Sequence, residues 1–243
     1  MIATANNFAV SMMERLARII PTGDLGLTCD AVQRSDGLRM TIASSAKGGL
    51  VLSIGGEQRL QLELNLYLFI SPNTGNVATE RSRYVVRVAG DDRPMFSLDY
   101  ERAARRNIPA AHYNFHFDHN DLVRELLDTG ASRRGRLHRK RAERGKPAQL
   151  ADLHFPVGGH RFRPCLEDVL EFLWTEFGID VHKETARGAI AEGRREWRQL
   201  QLKAAVADDP ETAAAELERL GYEVTRDDDS KTRIARTDRI EAI

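Results

Sequence analysis

The sequence predicts an α+β fold, in which an antiparallel sheet meander packs with an N-terminal helix and C-terminal helices. Three observations predict it. Apolar residues recur at helical spacing at the start, alternate with polar residues in several segments between residues 37 and 101, and return to helical spacing after residue 165. Because the alternating segments follow one another through short connections, we expect five to seven strands paired antiparallel in one sheet.

The first helix is predicted over residues 4–20. Its apolar side chains Phe8, Met12, Leu16 and Ile19 fall on one stripe, and Pro21 ends it. The clearest strand follows at residues 59–70, RLQLELNLYLFI, where every second residue is Leu or Ile. Further strands are predicted at residues 38–42, 50–54, 82–90 and 95–101, the last as an edge strand.

The second half of the chain is predicted to be mainly helical. A short helix begins at Asn120 as N-cap and stops at Gly130, and a longer amphipathic one covers residues 165–178. A long helix is expected from about residue 181 to 207. The Asp209-Pro210 pair then starts a last helix that Gly221 ends.

These elements suggest three parts. Residues 1–178 are expected to form an α+β sheet domain that contains a basic insert at 131–148. Residues 179–224 are expected to form a helical extension. Residues 225–243 are a charged tail, which is either mobile or docks on another part of the protein. The extension is a candidate surface for forming homo-oligomers, because a long helix with apolar residues needs a surface to bury them against.

Composition excludes several classes of protein. Of 243 residues, 42% are hydrophobic and 30% charged, which is typical of a folded domain and not of a disordered chain. No apolar run approaches the roughly 20 residues that cross a bilayer, so no membrane partner is expected. The start lacks the pattern of a secretory signal, and only Cys29 and Cys165 are present. We therefore expect a cytoplasmic protein without a disulfide framework.

The formal net charge is zero, yet residues 133–146 carry eight basic side chains against the single acid Glu143. The segment has no aromatic residue for base stacking, so it predicts contact with nucleic-acid phosphates, not base readout. About six such contacts would give binding a log–log salt slope near −4 to −5. A solvated flexible loop and an acidic protein partner are the alternatives. The cations are Arg133, Arg134, Arg136, Arg139, Lys140, Arg141, Arg144 and Lys146.

The motif AHYNFHFDH, residues 111–119, is predicted to be a strand with two different faces. Tyr113, Phe115 and Phe117 would point into the core, and the polar side chains would point the other way. The segment DLHFPV, residues 152–157, has the same alternation. If the two segments pair, one surface gathers His112, His116, Asp118, Asp152 and His154.

Two chemistries would use this set. His112, His116 and His154 are candidate ligands of a divalent metal ion, the one cofactor that the sequence suggests, and a bound metal would activate a water for hydrolysis. Alternatively, two histidines would act as general acid and base in cleaving a phosphodiester without a metal. The candidate catalytic residues are His112, His116, Asp118 and His154. The competing interpretation is a solvated sheet face whose polar groups are satisfied by water or by neighbours.

Arg161 and Arg163 follow His160 in a turn that enters a helix. Such a turn is typical of phosphate sites, and both arginines are candidate nucleic-acid contacts. The alternative is that they pair with Glu167, Asp168 or Glu171.

Residues 153–173, LHFPVGGHRFRPCLEDVLEFL, carry a G-x-R-F-x-P turn followed by a helix that begins L-E-D. In this the chain resembles poorly characterised bacterial proteins of toxin–antitoxin, defence or mobile-element loci, of the TumE kind, over about residues 110–178. The resemblance implies a cytosolic role in a bacterial conflict system, acting on nucleic acid. Its functional positions would be His112, His116, His154, Arg161 and Arg163. The strand-rich start and the helices after residue 180 depart from the pattern of a short toxin.

Two classes of function follow from the sequence. The first is a nucleic-acid-associated protein of a conflict or defence system, whose basic insert contacts the backbone and whose His/Asp face hydrolyses it. The second is a non-catalytic interaction protein, such as an antitoxin, an adaptor or a subunit of a defence assembly. The distance between His116 and His154 would separate the two classes.

Overall fold

A computed structural model of the protein describes residues 2–22, 25–45, 49–70, 77–104, 108–116, 133–146, 155–157, 160–226 and 235–241. The strands are β1 (Leu27–Arg34), β2 (Gly37–Ser44), β3 (Leu50–Ile54), β4 (Glu57–Ile70), β5 (Val77–Val88), β6 (Pro94–Glu101), β7 (Ala111–Phe115) and β8 (Phe155–Pro156). The helices are α1 (Ile2–Ile19), α2 (Arg133–Ala142), α3 (Leu166–Phe172) with a π turn (Leu173–Phe177), α4 (Ala186–Asp208), α5 (Pro210–Arg219) and α6 (Thr237–Ile240).

All the strands belong to one antiparallel sheet, in the order β1-β2-β4-β5-β6-β7-β8, with β3 paired to β4. The long strand β4 organises it. Residues 57–62 pair with β3 and residues 65–70 pair with β2, so that two strands share one side of β4. The predicted α+β class and the antiparallel meander are confirmed.

Two details of the sheet differ from the prediction. The sheet has eight strands among the described residues, because β1 had been missed: its sequence LTCDAVQR is exposed along nearly all its length and shows no apolar alternation. The prediction that residues 95–101 form an edge strand was wrong, since β6 lies between β5 and β7. Its buried residues Phe96, Leu98 and Tyr100 match that interior position.

The core lies between one face of the sheet and the helices. The alternating leucines of β4 pack there with Met12, Leu16 and Ile19 of α1, which confirms the predicted amphipathic stripe. Leu170 and Leu173 come from α3 and its π turn, and the first turns of α4 contribute Ala186, Ala189 and Ile190 to the same cluster. Gly193 brings α4 close to α3, because a Cβ at this position would lie 2.6 Å from Glu167 Cδ.

The C-terminal helices follow the predicted boundaries, except that α4 begins at Ala186 and not near residue 181. Gly178 ends the turn after α3 with a left-handed backbone, at φ 68°. Asp209 caps α5 by accepting a hydrogen bond from the Thr212 amide at 3.0 Å, and Pro210 occupies the first turn. The helix predicted from Asn120 to Gly130 lies outside the described residues.

The end of the described chain contacts the body of the protein. The Arg236 amide donates to the Asp208 carbonyl at 2.7 Å, and Arg239 of α6 donates to the Arg102 carbonyl at 3.2 Å. Residues 235–241 therefore dock, which is one of the two alternatives for the charged tail. Within the described segments, every helix is too short or too polar to cross a bilayer.

Candidate functional site

The strand β7 has the two faces that its sequence predicts. Tyr113 and Phe115 pack against the main core. His112, Asn114 and His116 alternate with them and lie on the opposite face, which we call the polar sheet face. The expected pairing with the second His-bearing segment is confirmed, since Tyr113 of β7 pairs with Phe155 of β8.

Asp99 of β6 is the centre of a hydrogen-bonded network on the polar sheet face. Its Oδ2 accepts from Ser97 Oγ at 2.7 Å and from Asn114 Nδ2 at 2.8 Å, and its Oδ1 lies 3.3 Å from Arg83 Nε. Register places these residues side by side, because Asp99 pairs with Arg83 on β5 and with His112 on β7. The Asp99 carboxylate is therefore already satisfied by protein donors.

His112 and Asn114 are only 6% and 8% exposed, so the interpretation of this face as solvated is wrong for both residues. His112 Nδ1 lies 2.8 Å from the Pro109 carbonyl and must donate to it, because a carbonyl oxygen only accepts. The alternative that neighbours satisfy the polar groups fits His112 better than catalysis does.

The buried Nε2 of His116 has no hydrogen-bond partner within the described parts of the chain, and the same holds for the buried Oδ1 of Asn114. Burial is the main cause of a lowered pKa for His116, and the positive charge of Arg83 lowers it further while Asp99 opposes the change. The imidazole is therefore mainly neutral at pH 7.

The proposed catalytic set is only partly visible. Asp118, Asp152 and His154 lie outside the described residues, so the distance between His116 and His154 is untested. In the segments that the structure describes, there is no group of three His, Cys, Asp or Glu side chains placed to hold a metal ion. Hydrolysis at this face stays a prediction.

The turn at residues 160–164 is arranged differently from the expected ion pairs. Arg161 Nε pairs with Asp208 of α4 at 2.6 Å. Asp168 and Glu171 pair instead with Arg194, so the prediction that they bind Arg161 or Arg163 was wrong.

Arg163 is 6% exposed, and its guanidinium packs against two aromatic rings. Its guanidinium carbon is 3.6 Å from the ring centroid of Tyr100 and 4.7 Å from that of Trp197. Nη1 donates to the His160 carbonyl and to Gln201 Oε1, whereas the buried Nε has no partner in the described structure. Burial lowers the pKa of Arg163 to about 10, which leaves it charged at pH 7.

His160 stands beside this arginine and is also buried. The Tyr100 hydroxyl and Arg239 Nη1 each lie 3.2 Å from its Nδ1. Because a guanidinium can only donate, Nδ1 must be the unprotonated acceptor. The pKa of His160 is lowered to about 4, mainly by burial. The positive charges of nearby arginines lower it further: Arg239, Arg161, Arg163 and Arg102.

Arg163, Tyr100 and Trp197 border a cavity of about 300 Å³ between the sheet and α4, which we call the basic cavity. Its walls include apolar side chains such as Phe8, Val77 and Leu200, together with a single carboxylate, Asp208. Five cationic side chains line it: Arg102, Arg161, Arg163, Lys203 and Arg239.

Sequence reasoning identified Arg161 and Arg163 but missed the other three cations of the basic cavity. Arg102 lies in the turn after β6, Lys203 on α4 and Arg239 on α6, so no local pattern joins them. Two arginines and a histidine in one helix-entry turn were the only signal available.

The basic insert forms a helix, α2, over ten of its residues, and is therefore not a loop there. Arg136, Arg139 and Lys140 are exposed on it, and Arg141 is half-buried. Arg144 and Lys146 are exposed just after it. Arg133 and Arg134 begin the helix, and their side chains lie outside what the structure describes.

Acidification is expected to destabilise the protein through His160. The folded-state pKa of about 4 lies below the ordinary value of 6.5, so the unfolded chain binds the proton more readily between these values. Stability is therefore full above pH 6.5 and falls as the pH drops toward 4, by roughly 3 kcal/mol at most. Urea unfolding from pH 7.5 to 4 measures this dependence.

His160→Asn is the matched variant, because its amide oxygen can accept in place of Nδ1 but does not titrate. We expect a smaller loss of stability on acidification in this variant than in wild type. Equal pH dependence in the two proteins would assign the acid sensitivity to other groups.

The fold and these surfaces define an α+β protein with an antiparallel meander, a polar sheet face and a strongly basic cavity. Comparison with known proteins finds no matching family model, no matching curated protein and no matching solved structure.

Proposed function

We propose that the protein binds nucleic acid by its phosphate backbone, through α2 and the basic residues that follow it. The observation that carries this proposal is the helical form of the insert. Ten helical residues span about 15 Å, and a duplex carries one charge per roughly 1.7 Å of axis. Cations fixed along such a helix can therefore meet several phosphates at once.

The composition of α2 also defines the kind of binding. It offers no Phe, Tyr or Trp for stacking and no Asn or Gln for pairing with adenine. Contacts of Arg and Lys with phosphates position a protein without reading sequence. We therefore expect sequence-independent, strongly salt-dependent binding. The resemblance of residues 110–178 to TumE-like proteins supports placing this binding in a bacterial conflict or defence system.

A second candidate function is that of a non-catalytic interaction protein. It is favoured by apolar side chains exposed near one another around a groove between α4, α5 and the 160–164 turn. Phe162 is 83% exposed and Leu202 65% exposed, and large exposed apolar patches mark interaction sites. Binding of nucleic acid and docking of a protein would use different surfaces, so both are compatible with one adaptor.

The proposal is tested by fluorescence anisotropy with labelled single-stranded RNA, single-stranded DNA and duplex DNA between 50 and 300 mM salt, roughly the range over which such contacts weaken. Wild type is expected to bind with a log–log slope near −4 to −5. The triple variant Arg136→Gln, Arg139→Gln, Lys140→Gln removes three cations while keeping good helix formers. It is expected to lose at least about tenfold in affinity and two to three units of slope.

A charge-matched control carries Arg34→Gln, Lys183→Gln and Arg195→Gln, three exposed cations elsewhere on the surface. It should bind like wild type. Equal weakening of both triple variants would mean that overall charge, and not α2, causes binding. No binding by wild type to any of the three nucleic acids would refute the proposal.

A further inference from the structure

We propose that the basic cavity is a binding site for a phosphomonoester dianion. This goes beyond backbone binding by α2, because it concerns a different part of the molecule and a different ligand. A backbone phosphodiester carries one negative charge, whereas a phosphomonoester carries close to two at pH 7.

The charges around the cavity are unbalanced. The one carboxylate that lines it, Asp208, is already paired with Arg161. Arg239 pairs with Asp238, at 3.6 Å, outside the cavity lining. Arg102, Arg163 and Lys203 have no carboxylate partner in the described part of the protein. An anion with two charges would compensate this excess of positive charge.

Arg163 distinguishes this cavity from a chance group of surface cations, because its side chain is buried and held in place by its neighbours. The two aromatic rings and the His160 carbonyl fix its guanidinium in the cavity wall. A buried N–H without a partner costs free energy, and Nε of Arg163 is such a group in the described structure. A guanidinium that packing holds in one orientation in a cavity wall is suited to phosphate recognition, because little of its side-chain freedom remains to be lost on binding.

The neighbouring residues position a second arginine. Arg239 donates to the Arg102 carbonyl and to His160 Nδ1, both at 3.2 Å. This arrangement requires a neutral His160, because a protonated imidazole would repel the guanidinium. Arg239 is thereby held at the cavity even though it comes from the far end of the chain.

The size of the basic cavity indicates an organic phosphate. A volume of about 300 Å³ exceeds the needs of inorganic phosphate and lies at the lower end of ligand pockets. The apolar side chains Phe8, Val77 and Leu200 line the same space and would contact an organic group. Two sources share this chemistry: a free phosphomonoester such as a nucleoside monophosphate, and the terminal phosphate of a nucleic-acid strand.

Isothermal titration calorimetry of the full chain tests the site with four probes. These are inorganic phosphate, adenosine monophosphate, and one short oligonucleotide with either a 5′-phosphate or a 5′-hydroxyl. The double variant Arg102→Gln, Lys203→Gln removes two exposed cations that have no ion pair in the described structure, so the fold should persist. We expect wild type to bind adenosine monophosphate and the double variant to bind it at least tenfold more weakly.

The control Lys183→Gln, Arg195→Gln removes two exposed cations away from the cavity and should bind like wild type. Tighter binding of the 5′-phosphorylated strand than of the 5′-hydroxyl strand, lost in the double variant, would support the site and identify a strand end as its ligand. Binding of adenosine monophosphate without that difference would support the site and identify a free phosphomonoester.

Absence of binding of all phosphomonoester probes to wild type would overturn the proposal, as would an equal loss in the control. The result is separable from the function of α2. The triple variant of α2 should bind adenosine monophosphate like wild type, and the Arg102/Lys203 variant should retain salt-dependent binding to a 5′-hydroxyl strand.

Discussion

Gly49→Ala is expected to destabilise the protein by about 3 kcal/mol or more. Gly49 leads into β3 with a φ of 88°, a conformation that L side chains rarely adopt. A Cβ at this position would lie 2.5 Å from Glu63 Cα and 2.6 Å from Glu63 N. Both are backbone atoms in the middle of β4, so no side chain can move aside to make room.

Gly90→Ala is the matched control for this variant. Gly90 has a similar φ of 83°, but no heavy atom lies within 4 Å of its ideal Cβ position. Its cost should be that of the backbone conformation alone, about 1 kcal/mol. Urea unfolding of both variants measures the difference, and equal costs would show that contact with β4 contributes nothing.

Arg15→Met is expected to cost about 3 kcal/mol or more. Arg15 of α1 and Glu167 of α3 are buried together, with side chains 10% and 9% exposed and Nε 3.5 Å from Oε1. Arg15 also donates to Glu196 of α4 at 2.6 Å, so it joins three helices. Methionine fills similar space but leaves the Glu167 carboxylate buried without its cation.

The double variant Arg15→Met, Glu167→Met separates charge from packing. Replacing a whole buried ion pair by apolar side chains is often neutral for stability, whereas removing one partner is not. We therefore expect the double variant to unfold at a higher urea concentration than Arg15→Met alone. If the double variant is as unstable as the single one, packing and not the unpaired carboxylate causes the loss.

The sequence predicted those elements whose pattern is set by one local rule. Strand β4 alternates strictly because one face is buried and the other is not, and α5 begins at an Asp-Pro pair and stops before a glycine. Strand β1 was missed because it is an exposed edge with no buried face to impose alternation. The interior position of β6 in the sheet was missed, because β6 has a second neighbour only through β7, which lies after residue 110 in the sequence.

The candidate site was less predictable, because it depends on residues far apart in the chain. The Arg161–Asp208 pair joins positions that no helical or strand period relates. Nearby carboxylates at Asp168 and Glu171 looked equally suitable, but Arg194 on the facing helix pairs with them. On the polar sheet face, the alternation of residues correctly placed His112 and Asn114 on the same side of β7. Their burial depends on which other residues cover that face, and the alternation pattern carries no information about those residues.

The composition of the basic cavity has a consequence for biosynthesis. Strands β1 to β7 pair mostly with neighbours in sequence, so the sheet can assemble step by step as the polypeptide leaves the ribosome. The cavity takes cations from residues 102, 161, 163, 203 and 239, and the last of these is translated long after the sheet. A nascent chain would thus have its sheet strands synthesised well before the cavity has its last cation, and the proposed ligand could bind only at a late stage of synthesis.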